Sequence, residues 1–131
     1  MNTLDATRRW AREWERAWRE HDVDRVAALY APGASFRSGP FRDLQDPRAY
    51  VEWAFADEEQ GADVRLGEPV VVDGGRAVVE YWAVVRDRDG IETTIAGVSL
   101  LRFGADGLVV EQRDYWNDAE GRHDAHPGWG A

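Results

Sequence analysis

At 131 residues, 44% hydrophobic and 31% charged, the chain has the size and composition of one globular domain spanning 1–131, not of a disordered segment. It holds no cysteine, so a disulfide framework, a thiolate metal site and a thiol nucleophile are all excluded. Its 16 basic residues, all arginine, face 25 acidic ones, and the net charge of −9 repels a phosphate backbone and argues against nucleic acid as a partner.

Residues 4–20 have the period of an amphipathic helix. Trp10, Trp14 and Trp18 recur every fourth residue, opposite a polar face that includes Arg8, Arg12, Arg16 and Arg19. The plain reading of such a stripe is core packing. Asp22 or Asp24 suits the cap of a second, short helix through Tyr30, which Ala31-Pro32-Gly33 ends. Residues 34–38 read as a short strand and 39–43 as a loop. Asp46-Pro47 fits the cap and first position of a third helix running to about Glu59, with Tyr50, Trp53, Ala54 and Asp57 along one side.

Strands are expected at 63–72, 76–88, 91–103 and 107–116. They are joined by Asp73-Gly74-Gly75, Asp89-Gly90 and Gly104-Ala105-Asp106-Gly107, turns whose Asp-Gly content favours hairpins. Helices first and an antiparallel meander afterwards define an α+β domain, with helices on one face of a curved sheet. The tail, 118–131, is expected to lie peripherally over the surface.

Alternation divides the last strand into two faces. Leu108, Val110, Gln112, Asp114 and Trp116 share one of them, and Val109, Glu111, Arg113 and Tyr115 the other. Aspartate is depleted in strands, so a carboxylate on a face with Val110 and Trp116 needs a reason. One is a solvated strand end held by an arginine or a backbone amide. The other is a polar group aimed into a pocket, its pKa open to tuning by apolar neighbours.

Other features point to little chemistry. No glycine-rich phosphate loop is present, and Ser35, Ser38 and Ser99 lack a histidine partner for nucleophilic catalysis. His123 and His126 lie in a coil without a third ligand, so no metal and no cofactor are expected. His21 is read as a partly exposed side chain near helix-terminal carbonyls, and Glu58-Glu59 as a solvated charge run. Without a membrane-length apolar run or a signal-peptide pattern, the expected location is the cytoplasm, with no membrane partner.

Three pieces together resemble the SnoaL-like branch of the nuclear-transport-factor-two-like superfamily: His21-Asp22-Val23-Asp24 through Phe36, Gly97 through Phe103, and Gly107 through Asn117. The resemblance covers about residues 4–118. It implies a cone-shaped barrel in which three N-terminal helices wrap a curved antiparallel sheet around a deep pocket, and a homodimer built sheet to sheet. It also supports an inward Asp114. The Arg-Asp-Tyr-aromatic ending is similar to that of limonene-epoxide hydrolases, whose matching aspartate is the general base for water. Their arginine and second aspartate fall on Tyr81 and Ala83 here, so hydrolysis by that mechanism is not expected. Ketosteroid isomerases match worse, their base and oxyanion donors falling near Ser38, Trp14 and Ser99. SnoaL-type polyketide cyclases fit better, needing an acidic residue on the last strand, an apolar cavity and orientation.

Within that cone, the resemblance and strand pairing imply a pocket of Trp14, Trp18, Phe36, Ser38, Tyr50, Trp53, Ala83, Thr93, Ile95, Gly97, Ser99, Gln112 and Trp116, with Val79 and Val85 on the same inner face. Asp114 is the expected base, and Tyr81 the donor that orients or polarises a substrate oxygen. The expected function is a cofactor-independent cyclase, isomerase or lyase acting on a small apolar molecule. The alternatives are a non-catalytic ligand binder and a structural dimerisation module.

Overall fold

The structure, a computed structural model, describes all 131 residues. Helix α1 (Thr3–Glu20) starts where the Asn2 side chain accepts from the Asp5 amide at 2.8 Å, and ends at His21, which caps it in the left-handed region at φ 55°. Its tryptophan face turns inward. Trp10 and Trp14 are buried with Ala6 and Ala17, and successive indoles meet at 6.2 Å, tilted and then edge-on.

Helix α2 (Val23–Ala27), capped by Asp22, is shorter than the sequence suggests. Tyr30 opens strand β1 (Tyr30–Arg37) instead of closing the helix, and Ala31-Pro32-Gly33 lies inside that strand. A register shift between Tyr30 and Ser35 absorbs the proline, which an edge strand tolerates because its missing N–H faces no partner. Helix α3 (Pro47–Ala56) starts at the expected Asp46 cap but stops before Glu59. Beyond it, Glu58 pairs with Asp87 in an isolated antiparallel bridge.

The sheet has six strands. The expected strand 63–72 is two, β2 (Asp63–Leu66) and β3 (Val70–Asp73), both pairing with β4 (Arg76–Arg86). They are parted at Gly67-Glu68-Pro69, where proline has no N–H for the ladder and the Glu68 amide bonds to Gly130 O at 2.7 Å. Strand β5 (Glu92–Phe103) pairs with β4 and with β6 (Val109–Glu120), both antiparallel. Strand β1 runs parallel to β6, so the order is β1-β6-β5-β4-β2, a mixed and unclosed sheet and not a purely antiparallel barrel.

Strand β6 departs from simple alternation. A register shift opposite Arg102 and Phe103 buries Val109 fully, and Val110 leaves the face on which period two puts it with Asp114. After the shift, Gln112, Asp114 and Trp116 share the inner face. The strand also reaches Glu120, so 118–120 belong to the sheet. The tail after it crosses the convex side: Trp82 Nε1 donates to His123 O at 2.8 Å, and Trp129 packs edge-on against Trp82 at 6.1 Å. No helix is long and apolar enough to cross a membrane.

The main core lies between α1 and the concave face, where Trp10, Trp14, Val26, Leu29, Phe36, Val51, Val79, Leu101, Phe103 and Val109 pack together. This helix-on-sheet packing leaves a gap beyond Trp14, between α3 and the middle of the sheet.

Candidate active site

That gap is a cavity of about 290 Å³. Tyr81 of β4, Ile95 and Ser99 of β5, and Gln112, Asp114 and Trp116 of β6 line it from the sheet. Helix α1 supplies Trp10, Trp14 and Trp18. Helix α3 and the residues after it supply Tyr50, Val51, Trp53, Ala54, Phe55, Asp57 and Glu58, and Leu66 and Arg42 complete the wall.

Asp114 is the polar centre. Ser99, directly across the β5–β6 ladder, donates its hydroxyl to Asp114 Oδ1 at 2.6 Å, and Gln112 Nε2 donates to the same oxygen at 3.0 Å. Both protein donors address Oδ1, which leaves Oδ2 without one. Burial among aromatic rings raises the Asp114 pKa to about 6, against the opposing effects of the Ser99 and Gln112 hydrogen bonds and of the Arg42 charge. The carboxyl is therefore ionised at neutral pH yet basic enough to take a proton.

Gln112 is oriented by a buried relay. Trp14 Nε1 at 2.9 Å and Trp10 Nε1 at 3.3 Å both donate to Tyr30 Oη, which in turn donates to Gln112 Oε1. This fixes the amide so that its NH₂ faces Asp114. Burial holds Tyr30 as a neutral phenol by raising its pKa.

Burial, then the Asp114 charge, also raises the Tyr81 pKa, so its O–H stays protonated. That hydroxyl has no partner within the protein and makes no hydrogen bond to Asp114. Tyr50, likewise raised by burial, adds a second phenol to the cavity wall.

Of the residues expected in the pocket, the cavity brings together Trp14, Trp18, Tyr50, Trp53, Ile95, Ser99, Gln112 and Trp116 with Asp114 and Tyr81. Five others fall elsewhere. Phe36 packs in the core behind Tyr50, with ring centroids 5.0 Å apart. Ser38 is buried beside the wall, where its carbonyl accepts from Trp116 Nε1 at 2.6 Å. Ala83 joins Ala62 and Val64 in a small separate cluster. Thr93 lies at the end of the sheet opposite Glu120. Gly97 contributes backbone only: a Cβ there would lie 2.2 Å from Tyr115 O and 2.6 Å from Trp116 Cβ, so the glycine makes room for that tryptophan.

Arg42 and Glu58 enter the site without being expected there. Glu58 is not solvated: its side chain is 13% exposed and bonds His21 Nε2 at 2.8 Å and Trp18 Nε1 at 3.0 Å. Burial raises its pKa, and the His21 and Trp18 bonds oppose that rise. His21, 10% exposed, stacks on Phe55 at 4.5 Å and does not reach helix-terminal carbonyls through its ring. The only signals for Glu58 in the sequence are its place just past α3 and a tryptophan able to reach it. For Arg42 there is none, because a loop has no periodicity. In the tail, His123 and His126 turn their rings to the carbonyls of Glu120 and Pro127.

An open curved sheet wrapped by three helices around an aromatic cavity is the fold of the nuclear-transport-factor-two-like superfamily. The model of the SnoaL-like domain family matches residues 11–112, and the chain belongs to that family. A search of curated proteins by sequence finds no match. Among solved structures, the epoxide hydrolase/cyclase-like enzyme SalBIII, which has a role in pyran ring formation in the polyether salinomycin, is similar at a TM-score of 0.73. Identity is 16%, over 86% of this chain and 91% of that one. An LEH-like epoxide hydrolase of Mycobacterium tuberculosis gives a TM-score of 0.66 and 15% identity, over 88% of this chain and 82% of that one. A computationally designed 17-OHP binder gives 0.70 and 17%, over 92% and 100%. At these identities the likeness is one of fold.

Proposed function

We propose that the protein is a cofactor-independent enzyme of the isomerase, cyclase or lyase kind, with Asp114 as its general base and a small, largely apolar substrate. The observation that carries this reading is the free Oδ2 of a desolvated carboxylate inside an aromatic cavity. Asp114 takes a proton from a carbon next to a carbonyl, the C–H electron pair becomes a C=C bond, and the carbonyl π pair moves onto its oxygen to give an enolate. The Tyr81 O–H donates to that oxygen. The enolate then takes the proton back from Asp114 at a conjugated carbon, or it attacks an internal carbonyl or expels a leaving group, and Asp114 returns the proton to the oxyanion or leaving group so formed. Tyr81 and Ala83 stand where epoxide hydrolases of limonene type use arginine and aspartate, which argues against hydrolysis by their mechanism.

A non-catalytic binder of the same fold is the second reading, favoured by the Asp114 Oδ1 that Ser99 and Gln112 already hold as a fixed polar anchor. In either case we place the protein in the cytoplasm as a homodimer. Support for the dimer is the convex sheet face, where Val78, Val98 and Leu100 are half-buried and Tyr115 is exposed.

Deuterium exchange into 2-tetralone in D₂O, followed by NMR, separates the readings. The base reading predicts protein-catalysed exchange whose rate rises about tenfold per pH unit up to about pH 6 and then levels. Asp114→Asn should lower it by roughly 10²-fold or more. Exchange equal in the wild type and the variant contradicts the base and favours the binder.

A further inference from the structure

We propose that Arg42 forms an anion subsite at the mouth of the cavity and that the natural ligand is a small carboxylic acid with an apolar body. This rests on the reading of the cavity as a ligand site and adds the chemical class of what enters it. The loop that carries Arg42 is fixed at several points. Its amide donates to Gly39 O at 3.2 Å, and its carbonyl accepts from Arg37 Nη1.

The guanidinium lies over two indoles, 5.6 Å from the Trp53 ring centroid and 5.2 Å from that of Trp116. Trp116 is itself anchored through Nε1 to Ser38 O at 2.6 Å. The two rings and the fixed loop hold the planar fork in place before any ligand arrives.

What the fork lacks is an anionic acceptor. Arg42 Nη1 donates to Ser38 Oγ at 3.1 Å, and no ion pair of the chain includes Arg42. This holds although Asp57, Glu58 and Asp114 line the same cavity. Glu58 is taken up by His21 and Trp18, and Asp114 is engaged at Oδ1 alone, by Ser99 and Gln112. An arginine with unused donors, stacked on tryptophan and open to an apolar cavity, matches a carboxylate in shape and charge. A ligand held there would place its apolar body among Tyr50, Trp14 and Ile95, within reach of Asp114.

The test uses 2-naphthoate and its neutral counterpart 2-naphthamide, with affinities read at pH 7.5 and low salt by quenching of tryptophan fluorescence. The wild type should bind the carboxylate about tenfold or more tightly than the amide, the range expected of a charge-assisted fork. Arg42→Met, which keeps an apolar stem between the indoles, should remove that preference, lowering carboxylate affinity about tenfold more than amide affinity. Arg42→Lys, a point charge without the fork, should restore part of it. Amide binding without a carboxylate preference, or a preference that survives in Arg42→Met, overturns the subsite while the cavity reading stands. Binding of neither probe overturns both.

Discussion

Asp114→Asn should make the protein more stable at pH 7.5, by about 1–2 kcal/mol, while it removes the proposed base. The wild-type group has its pKa raised from 3.8 to about 6 by burial, so the folded state holds this proton more tightly than the unfolded chain. Between those values folding takes up a proton, and wild-type stability falls as pH rises through the window. The full difference corresponds to at most about 3 kcal/mol at neutral pH, and contact of the carboxylate with the open cavity reduces it. Asparagine keeps an oxygen for the Ser99 hydroxyl and the Gln112 amide, and it carries no charge to desolvate. Urea melts at pH 7.5 and at pH 4 should show the gain at the higher pH and little difference at the lower one. A loss of stability at pH 7.5 would mean that the carboxylate is structural. Stability given up at one residue in this way is common at sites shaped for chemistry.

Tyr30→Phe should cost about 2–4 kcal/mol, although it removes a single oxygen. That oxygen accepts from two indole N–H groups and donates to Gln112, all in the buried centre of the fold. Phenylalanine fills the same space and leaves two donors and one acceptor without partners, which is more expensive than the loss of one bond. Because Gln112 also supports Asp114, its released amide should let the Asp114 pKa rise further. Urea unfolding at constant pH measures the first effect. A cost below about 1 kcal/mol would show that cavity water replaces the phenol.

Much of this arrangement was legible in the sequence because it follows regular periods. The spacing of Trp10, Trp14 and Trp18 identifies the inner face of α1, Asp46-Pro47 marks the start of α3, and the Asp-Gly turns separate the long strands. The separation of Gln112, Asp114 and Trp116 by two residues places them on one face whatever happens upstream. What escaped was set by irregularity or by distant partners. The shift near Val110 reverses the strand's alternation without a glycine or proline to mark it. Tyr30 fits the apolar side of a short helix by spacing, and only its pairing with Val109 and the bonds of its hydroxyl to Trp10, Trp14 and Gln112 put it in β1 and behind the site. Glu58 reads as one half of an exposed acidic pair until Trp18 and His21 close over it. Arg42 sits on a loop whose direction is set by bonds to Arg37, Gly39 and Ser38, none of which a local pattern reveals.

The most direct measurement of the central claim is the titration of the Asp114 carboxyl, by NMR of carboxyl-labelled protein with Asp114→Asn identifying the resonance. The account predicts a midpoint near 6, well above the ordinary aspartate value. A midpoint at or below about 4 would describe a solvated or charge-paired carboxylate and contradict Asp114 as a base raised by burial.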